Sequence, residues 1–509
     1  MSVKKTPDFL SKSLYIRGLQ CHKSLWLHKF QPELKGECSA QQQASFRNGT
    51  DVGKVAQNLF PGGVEVPFEG LSIAEQVERT KELMKSRRVI YEASFSHEGI
   101  FVKADILRKG RSGWEIYEVK ASTKVKEVYL DDVALQYHVL TGAGLPVTKA
   151  FVVHVDTDYV RDGEIDVAGL FVKNNVTKEI RAMHPTVAKE IKTQRKILRG
   201  KLPKIDIGPH CSKPYECDFK DHCWVHIPED SVFDLAGKGL DPFTLYRQGI
   251  IRQMDIPLDR LNAKQHQQVE ATLQQRNTIN EKKLRAFLNE LWYPLCFLDF
   301  ETFQCTVPHF DGTRPYQQIP FQYSLHLLKR KGGKLHHREY LASPGADQRR
   351  EFLERLLEDI PEDACILTWN QSFEKMILEG LAKVFPRKAK KIKKIIDNLR
   401  DLMVPFRRRD VYFWEMKGSY SIKKVLPALV PDMSYEGLAI DGGGAAMEGW
   451  WRMCAAESRE EVGRIRKDLL EYCKMDTLGM VEIYKQICID ILYFNGGKYG
   501  QKCQPKTNI

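Results

Sequence analysis

Between Val89 and Lys120 apolar and polar positions alternate with a period of two, in the runs VIYEASF, IFVKADIL and WEIYEVK. That period is the mark of half-buried strands, and the turns around His97–Gly99 and in RKGRSG between the runs predict a β-meander. VKEVYLDDVALQYHVLTGAG then changes to helical spacing, and KAFVVHVD returns to an apolar strand. Residues from about 230 to 290 are polar with helical spacing. A second α/β pattern opens at Leu295 with LCFLDFETF, a buried strand, followed by the strand-into-helix CILTWNQSFEKMILEGLA and the helix DLLEYCKMDTLGMVEIY. The predicted organisation is an α/β domain over 1–228, a helical linker over 229–288 and a second α/β domain over 289–500. DGGGAAMEGWW (441–451) follows no strand and lacks a P-loop lysine and hydroxyl, so it reads as a flexible loop.

A chain of 509 residues exceeds one ordinary core, in keeping with two or three domains. The first twenty residues carry charges but no apolar h-region, and no apolar run approaches a membrane span. A cytoplasmic protein without a membrane partner is expected, and in a reducing compartment its twelve cysteines point to metal or redox chemistry rather than disulfides. The formal charge of +12 is unevenly spread. Lys390, Lys391, Lys393, Lys394, Arg407 and Arg408 crowd one stretch that suits a polyanion, and the competing reading is a solvated helix face.

Two constellations carry chemistry. In the first, Asp105 lies late in one predicted strand, and Glu118 and Lys120, two apart at the end of the next, share a face. Two carboxylates there suit Mg²⁺ or Mn²⁺, and a lysine beside them suits developing phosphorane charge. This D…ExK pattern resembles the PD-(D/E)XK nucleases, the RecB-like branch in particular. The resemblance extends to an upstream glutamate, Glu92, and a downstream helical glutamine, Gln136. It implies a restriction-endonuclease-like fold. The branch's early G-x-x-x-H histidine is missing from NGTDVGKVA, where only Gly49 and Gly53 answer to it.

HCSKPYECDFKDHC (210–223) spaces Cys211, Cys217 and Cys223 as C-x5-C-x5-C. Iron–sulfur RecB-like exonucleases, including the type associated with CRISPR systems, bracket their core with one upstream and three downstream cysteines. That resemblance implies Cys21 as the fourth ligand of a structural [4Fe–4S] cluster, with Cys38 as a spare upstream thiol. Zinc is the rival metal, since His22, His210 and His222 neighbour these cysteines.

In the second constellation, Asp299 and Glu301 share a strand face, Asn370 and Glu374 follow at a strand–helix junction, and Tyr472 and Asp476 lie four apart on a helix. The order D-x-E, N-x-x-F-acid, Y-x-x-x-D resembles the tyrosine-bearing DEDD 3′→5′ exonucleases of RNase H-like fold. The resemblance implies a two-metal site of Asp299, Glu301, Glu374 and Asp476, with Tyr472 placing the water. Glu374 stands where that family has aspartate, and Asp401 is a weaker substitute.

With CSKPYECDFKDHCW, FLDFETF and GSYSIKKVLPALVP, nearly the whole chain resembles an uncharacterised bacterial family that joins an iron–sulfur RecB-like module to a DEDD exonuclease domain. The implied function is a metal-dependent nuclease in repair or mobile-element defence, trimming DNA 3′→5′. RNA is the alternative substrate, and a non-catalytic RecB-like clamp is the alternative role for the first domain.

Overall fold

The computed structural model describes residues 9–36 and 40–494, with side chains for all of these except 40–48 and 490–494. Cys38 and the ends of the two expected domains, 1–8 and 495–500, lie outside the described residues. The chain is mixed α/β and divides into two compact units: Met1–His226 with Gln304–Gln317, and Ile227–Phe303 with Gln318–Ile509. Among the described residues, no helix is long and apolar enough to cross a membrane.

The first unit is built on a sheet of β1 (Leu10–Ser11), β2 (Val64–Glu65), β3 (Val89–His97), β4 (Ile100–Lys109), β5 (Trp114–Lys120), β6 (Val147–Val155) and β7 (Phe171–Asn175). Its order is β2-β3-β4-β5-β6-β7, with β1 paired to the start of β4. The predicted meander is β3–β4–β5, all antiparallel. Its first turn is the two-residue loop Glu98–Gly99, both residues at positive φ, the conformation whose twist suits a tight hairpin. The Glu127–Gly142 helix crosses over to β6, which lies parallel to β5. It buries Val133, Leu135, Val139 and Leu140 in the same core as Ile90, Val102, Ile116 and Val152.

The second unit contains β8 (Thr278–Ile279), β9 (Leu295–Phe303), β10 (Ile319–Leu328), β11 (Leu335–Leu341), β12 (Cys365–Thr368), β13 (Leu399–Asp401) and β14 (Val411–Tyr412). The main sheet runs β11-β10-β9-β12-β13, antiparallel through β11, β10 and β9 and parallel through β9, β12 and β13. The long Arg459–Phe494 helix is pinned across it. Gln322 Nε2 donates to the Leu469 carbonyl at 2.8 Å, and Thr477 Oγ1 meets Ser324 Oγ at 2.7 Å and His326 Nδ1 at 2.8 Å.

Two expectations change here. Residues 229–288 do not stand apart as a helical linker but belong to the second unit. Val232, Leu245 and Ile256 make a small core of their own, β8 pairs with β14, and Gln268 bonds to Asp234 and Gln253. The glycine-rich stretch expected as a loop forms the helix Gly443–Ala455. Ala446, Gly449, Trp450 and Met453 recur at i, i+3, i+4 and i+7 and are buried, with Trp450 stacked on Phe303 and Phe321. That stripe outweighs the helix cost of the glycines.

Candidate functional site

In the first unit the meander brings together the D…ExK residues. Asp105 on β4 accepts the Val119 N–H of β5 at 2.7 Å, which sets it beside Glu118. Gln136 and Asp132, four apart on the Glu127–Gly142 helix, reach back to the sheet. Gln136 Nε2 donates to Glu118 Oε2 at 2.6 Å and to Asp132 Oδ1 at 3.2 Å. Lys120 Nζ bridges Glu118 Oε1 and Asp132 Oδ2, each at 2.6 Å. Glu92 stands at the margin: its backbone has φ +53, and its carboxylate lies 3.8 Å from Lys103.

Sequence reasoning missed two members of this site. Asp132 had a legible signal, one helical turn before Gln136. Lys12 had none. Its Nζ lies 2.7 Å from Glu118 Oε1 and 3.3 Å from Asp132 Oδ1. Burial alone would raise the Glu118 carboxyl, but the Lys12 and Lys120 ammonium groups hold it well below the usual range. Asp105 moves the opposite way, pushed up by burial and by the Glu118 charge. Gly49 and Gly53 lie in the Ala40–Gln57 helix with open space beside each Cα.

The four cysteines line one small cavity. Cys21 sits between the Lys12–Gln20 and His22–Phe30 helices, and the 210–223 segment is laced to them. Gln20 Nε2 donates to the carbonyls of His210 and Tyr215, at 2.8 and 2.7 Å, and Arg17 pairs with Asp218 at 2.6 Å. Within the segment the Cys217 N–H donates to the Cys211 carbonyl at 2.8 Å. Among the described residues, no three of these sulfurs lie within 4.8 Å of one another. Thiolates on one tetrahedral zinc, with Zn–S bonds of about 2.3 Å, stand about 3.8 Å apart. His22 is engaged elsewhere, at 2.8 Å from Glu190.

In the second unit β9 delivers Asp299 and Glu301, and the pinned Arg459–Phe494 helix delivers Asp476. One oxygen from each of the three lies within 4.8 Å of the others, the one such group of acidic, histidine or cysteine ligands among the described residues. Glu374, on the Gln371–Val384 helix, is buried just outside this trio, and its Oε2 has no hydrogen-bond partner among the described residues. Burial pushes the Asp299 and Glu301 carboxyls far up, and the neighbouring carboxylates push them further. Burial also takes Glu374 up to about 8. Asp476 rises less, to about 6, because burial is opposed by hydrogen bonds from Tyr435 and Tyr472. Cys473, on the same helix, places its sulfur 3.6 Å from Asp299 Oδ2.

Tyr435 was not foreseen, since it lies in an irregular loop whose pattern carries no period. Its hydroxyl donates to Asp476 Oδ1 at 2.6 Å. Lys423, in the Ile422–Leu429 helix, lies with its ammonium 5.6 Å from the Tyr435 ring centre and acts on Glu301 and Asp476. Both line an open cavity of about 490 Å³ with Lys424, Ser434, Glu436 and Asp441. Asn370 caps the Gln371–Val384 helix at φ +77. Asp401 serves the backbone instead, accepting the Asn370 and Met403 N–H groups at 3.1 and 3.0 Å.

The basic run is an amphipathic helix, Ala389–Asp397, whose Ile392 and Ile395 are buried while Lys390, Lys391, Lys393 and Lys394 are exposed. Two of these charges are paired, Lys393 with Asp397 at 2.9 Å and Lys394 with Glu362 at 3.1 Å. Arg407 and Arg408 are exposed, and Arg407 lies 3.5 Å from Asp401.

Residues 296–421, from β9 to the residue before the Ile422–Leu429 helix, match a family model described as a domain of unknown function (DUF2779). No curated protein matches the chain.

Proposed function

We propose that the protein is a metal-dependent phosphodiesterase acting on nucleic acid, with its cutting site in the second unit, read as an RNase H-like DEDD exonuclease. The observation that carries this reading is the convergence of Asp299, Glu301 and Asp476 beside the unpartnered Glu374 oxygen. Buried carboxylates crowded at that spacing repel one another unless a cation or protons lie between them. Asp299, Glu301 and Asp476 would hold Mg²⁺ or Mn²⁺, with Glu374 as the outer ligand. Such ions supply an activated water and Lewis-acid stabilisation of the leaving oxygen. Tyr435 holds Asp476 in place by its hydrogen bond, and Tyr472, expected to place the water, acts on the same carboxylate. Lys423 and Lys424 offer ammonium groups to a phosphate in the adjoining cavity.

DNA trimmed 3′→5′ is the substrate favoured here, with RNA second. Wild-type protein with Mg²⁺ or Mn²⁺ is expected to shorten end-labelled single-stranded DNA from its 3′ end, and Asp299→Ala to lower the rate about 10³-fold or more. Absence of cleavage of DNA and RNA with either metal would refute the reading. Preference for RNA would shift the substrate and keep the chemistry.

The first unit fits a PD-(D/E)XK module closed by a cluster on Cys21, Cys211, Cys217 and Cys223. What supports a thiolate-held group is that all four cysteines line one small cavity, with [4Fe–4S] the reading favoured here and zinc the rival. Anaerobically purified protein is then expected to be brown, with Cys21→Ala bleaching it; a colourless zinc protein would contradict the cluster. Lys12 at Glu118 favours the clamp role for this unit over a second blade.

A further inference from the structure

We propose that Lys12 is a built-in cation of the first unit's acidic site, supplying at Glu118, one of the two carboxylates expected to hold a divalent ion, and at the neighbouring Asp132 the positive charge that ion would bring. This goes beyond the clamp reading of that unit and rests on it.

The oxygens of Glu118 and Asp132 are already engaged, and Asp105 Oδ2 takes the Val119 N–H at 2.7 Å. Glu118 Oε1 meets two ammonium groups, Lys12 at 2.7 Å and Lys120 at 2.6 Å, and Glu118 Oε2 takes Gln136 at 2.6 Å. Asp132 Oδ1 takes Gln136 at 3.2 Å and lies 3.3 Å from Lys12 Nζ, while Oδ2 takes Lys120 at 2.6 Å. The two lysines balance these two carboxylates in a buried pocket, and a divalent ion at the same oxygens would face two like charges at contact range. Lys120 is the lysine that the D…ExK pattern provides. Lys12 is additional, so it decides whether the site has room for an ion.

Its position is fixed by the backbone. Leu10 and Ser11 pair in parallel with Ile100 and Phe101 of β4, the strand that carries Asp105. The Ser11 hydroxyl accepts the Leu14 N–H at 3.3 Å, capping the helix in which Lys12 is the first residue. Lys12 therefore enters the site at the point where strand turns into helix.

Equilibrium dialysis of the full chain against Mn²⁺ tests this, in a background of Asp299→Ala and Asp476→Ala that removes the second unit's ligands. Lys12→Met and the milder Lys12→Gln are expected to bind Mn²⁺ about tenfold tighter or more than their parent, because the competing cation is gone. Lys12→Arg should bind like its parent. Equal Mn²⁺ binding by the parent and the Met and Gln variants would overturn the proposal, whether all bind or none does. A second readout needs no Lys12 variant: acetylation of Lys12, followed by peptide mass spectrometry, should quicken as millimolar Mn²⁺ displaces it. A rate indifferent to Mn²⁺ would also overturn the proposal. The clamp reading is tested apart from Mn²⁺ binding, by whether cleavage persists in Asp299→Ala and is lost in Lys120→Ala, so the two readings can fail separately.

Discussion

The two units each gather buried carboxylates at a strand end and a facing helix, yet they settle the resulting charge in opposite ways. In the first, Lys12 and Lys120 sit on Glu118 and Asp132, and Glu118 is held ionised well below the usual carboxylate range. In the second, Asp299, Glu301 and Asp476 face one another with two tyrosines and a more distant lysine, and burial drives the carboxyls upward. A site that supplies its own counter-charge is stable without a ligand and resists one. A site that leaves its acids unbalanced stores a demand for a cation, the usual condition of a metal centre before loading.

The comparison predicts stability changes of opposite sign. Glu118→Gln removes the carboxylate that both Lys12 and Lys120 contact and leaves Asp132 and Asp105 to balance them. It should cost about 2–3 kcal/mol in urea unfolding, below the range for fully buried pairs because both lysines are partly exposed. In metal-free protein at pH 8, Asp299→Asn removes one of the crowding charges and should stabilise by about 1 kcal/mol. A loss at both positions would erase the contrast.

The pH dependence follows from Glu374, whose folded carboxyl lies near 8 against an ordinary 4.5. Between those values the folded state holds the proton more tightly than the unfolded chain does. Stability of the metal-free protein should therefore fall as pH rises through this window. The proposed site holds Mn²⁺ through the ionised acids, so the expected stabilising effect of Mn²⁺ is larger at pH 8 than at pH 6.

What was legible in the chain is what local periodicity encodes. The β3–β4–β5 meander, the paired Asp299 and Glu301 on β9, and Tyr472 with Asp476 on one helix all follow from spacings of two and four. Lys12 did not follow, because only the pairing of β1 with β4 brings it to Glu118, more than a hundred positions away in the chain. Tyr435 lies in a loop with no period to read. The Gly443–Ala455 helix was hidden by glycines at its start, and the 229–288 region by a core made from short turns rather than long elements.

The central claim is that the second unit cuts and the first does not. Lys120→Ala and Asp299→Ala, assayed side by side on end-labelled single-stranded DNA with Mn²⁺, test it most directly. The account predicts that Asp299→Ala abolishes all cleavage while Lys120→Ala leaves 3′ trimming in place. Cleavage that persists in folded Asp299→Ala and disappears in folded Lys120→Ala would contradict it.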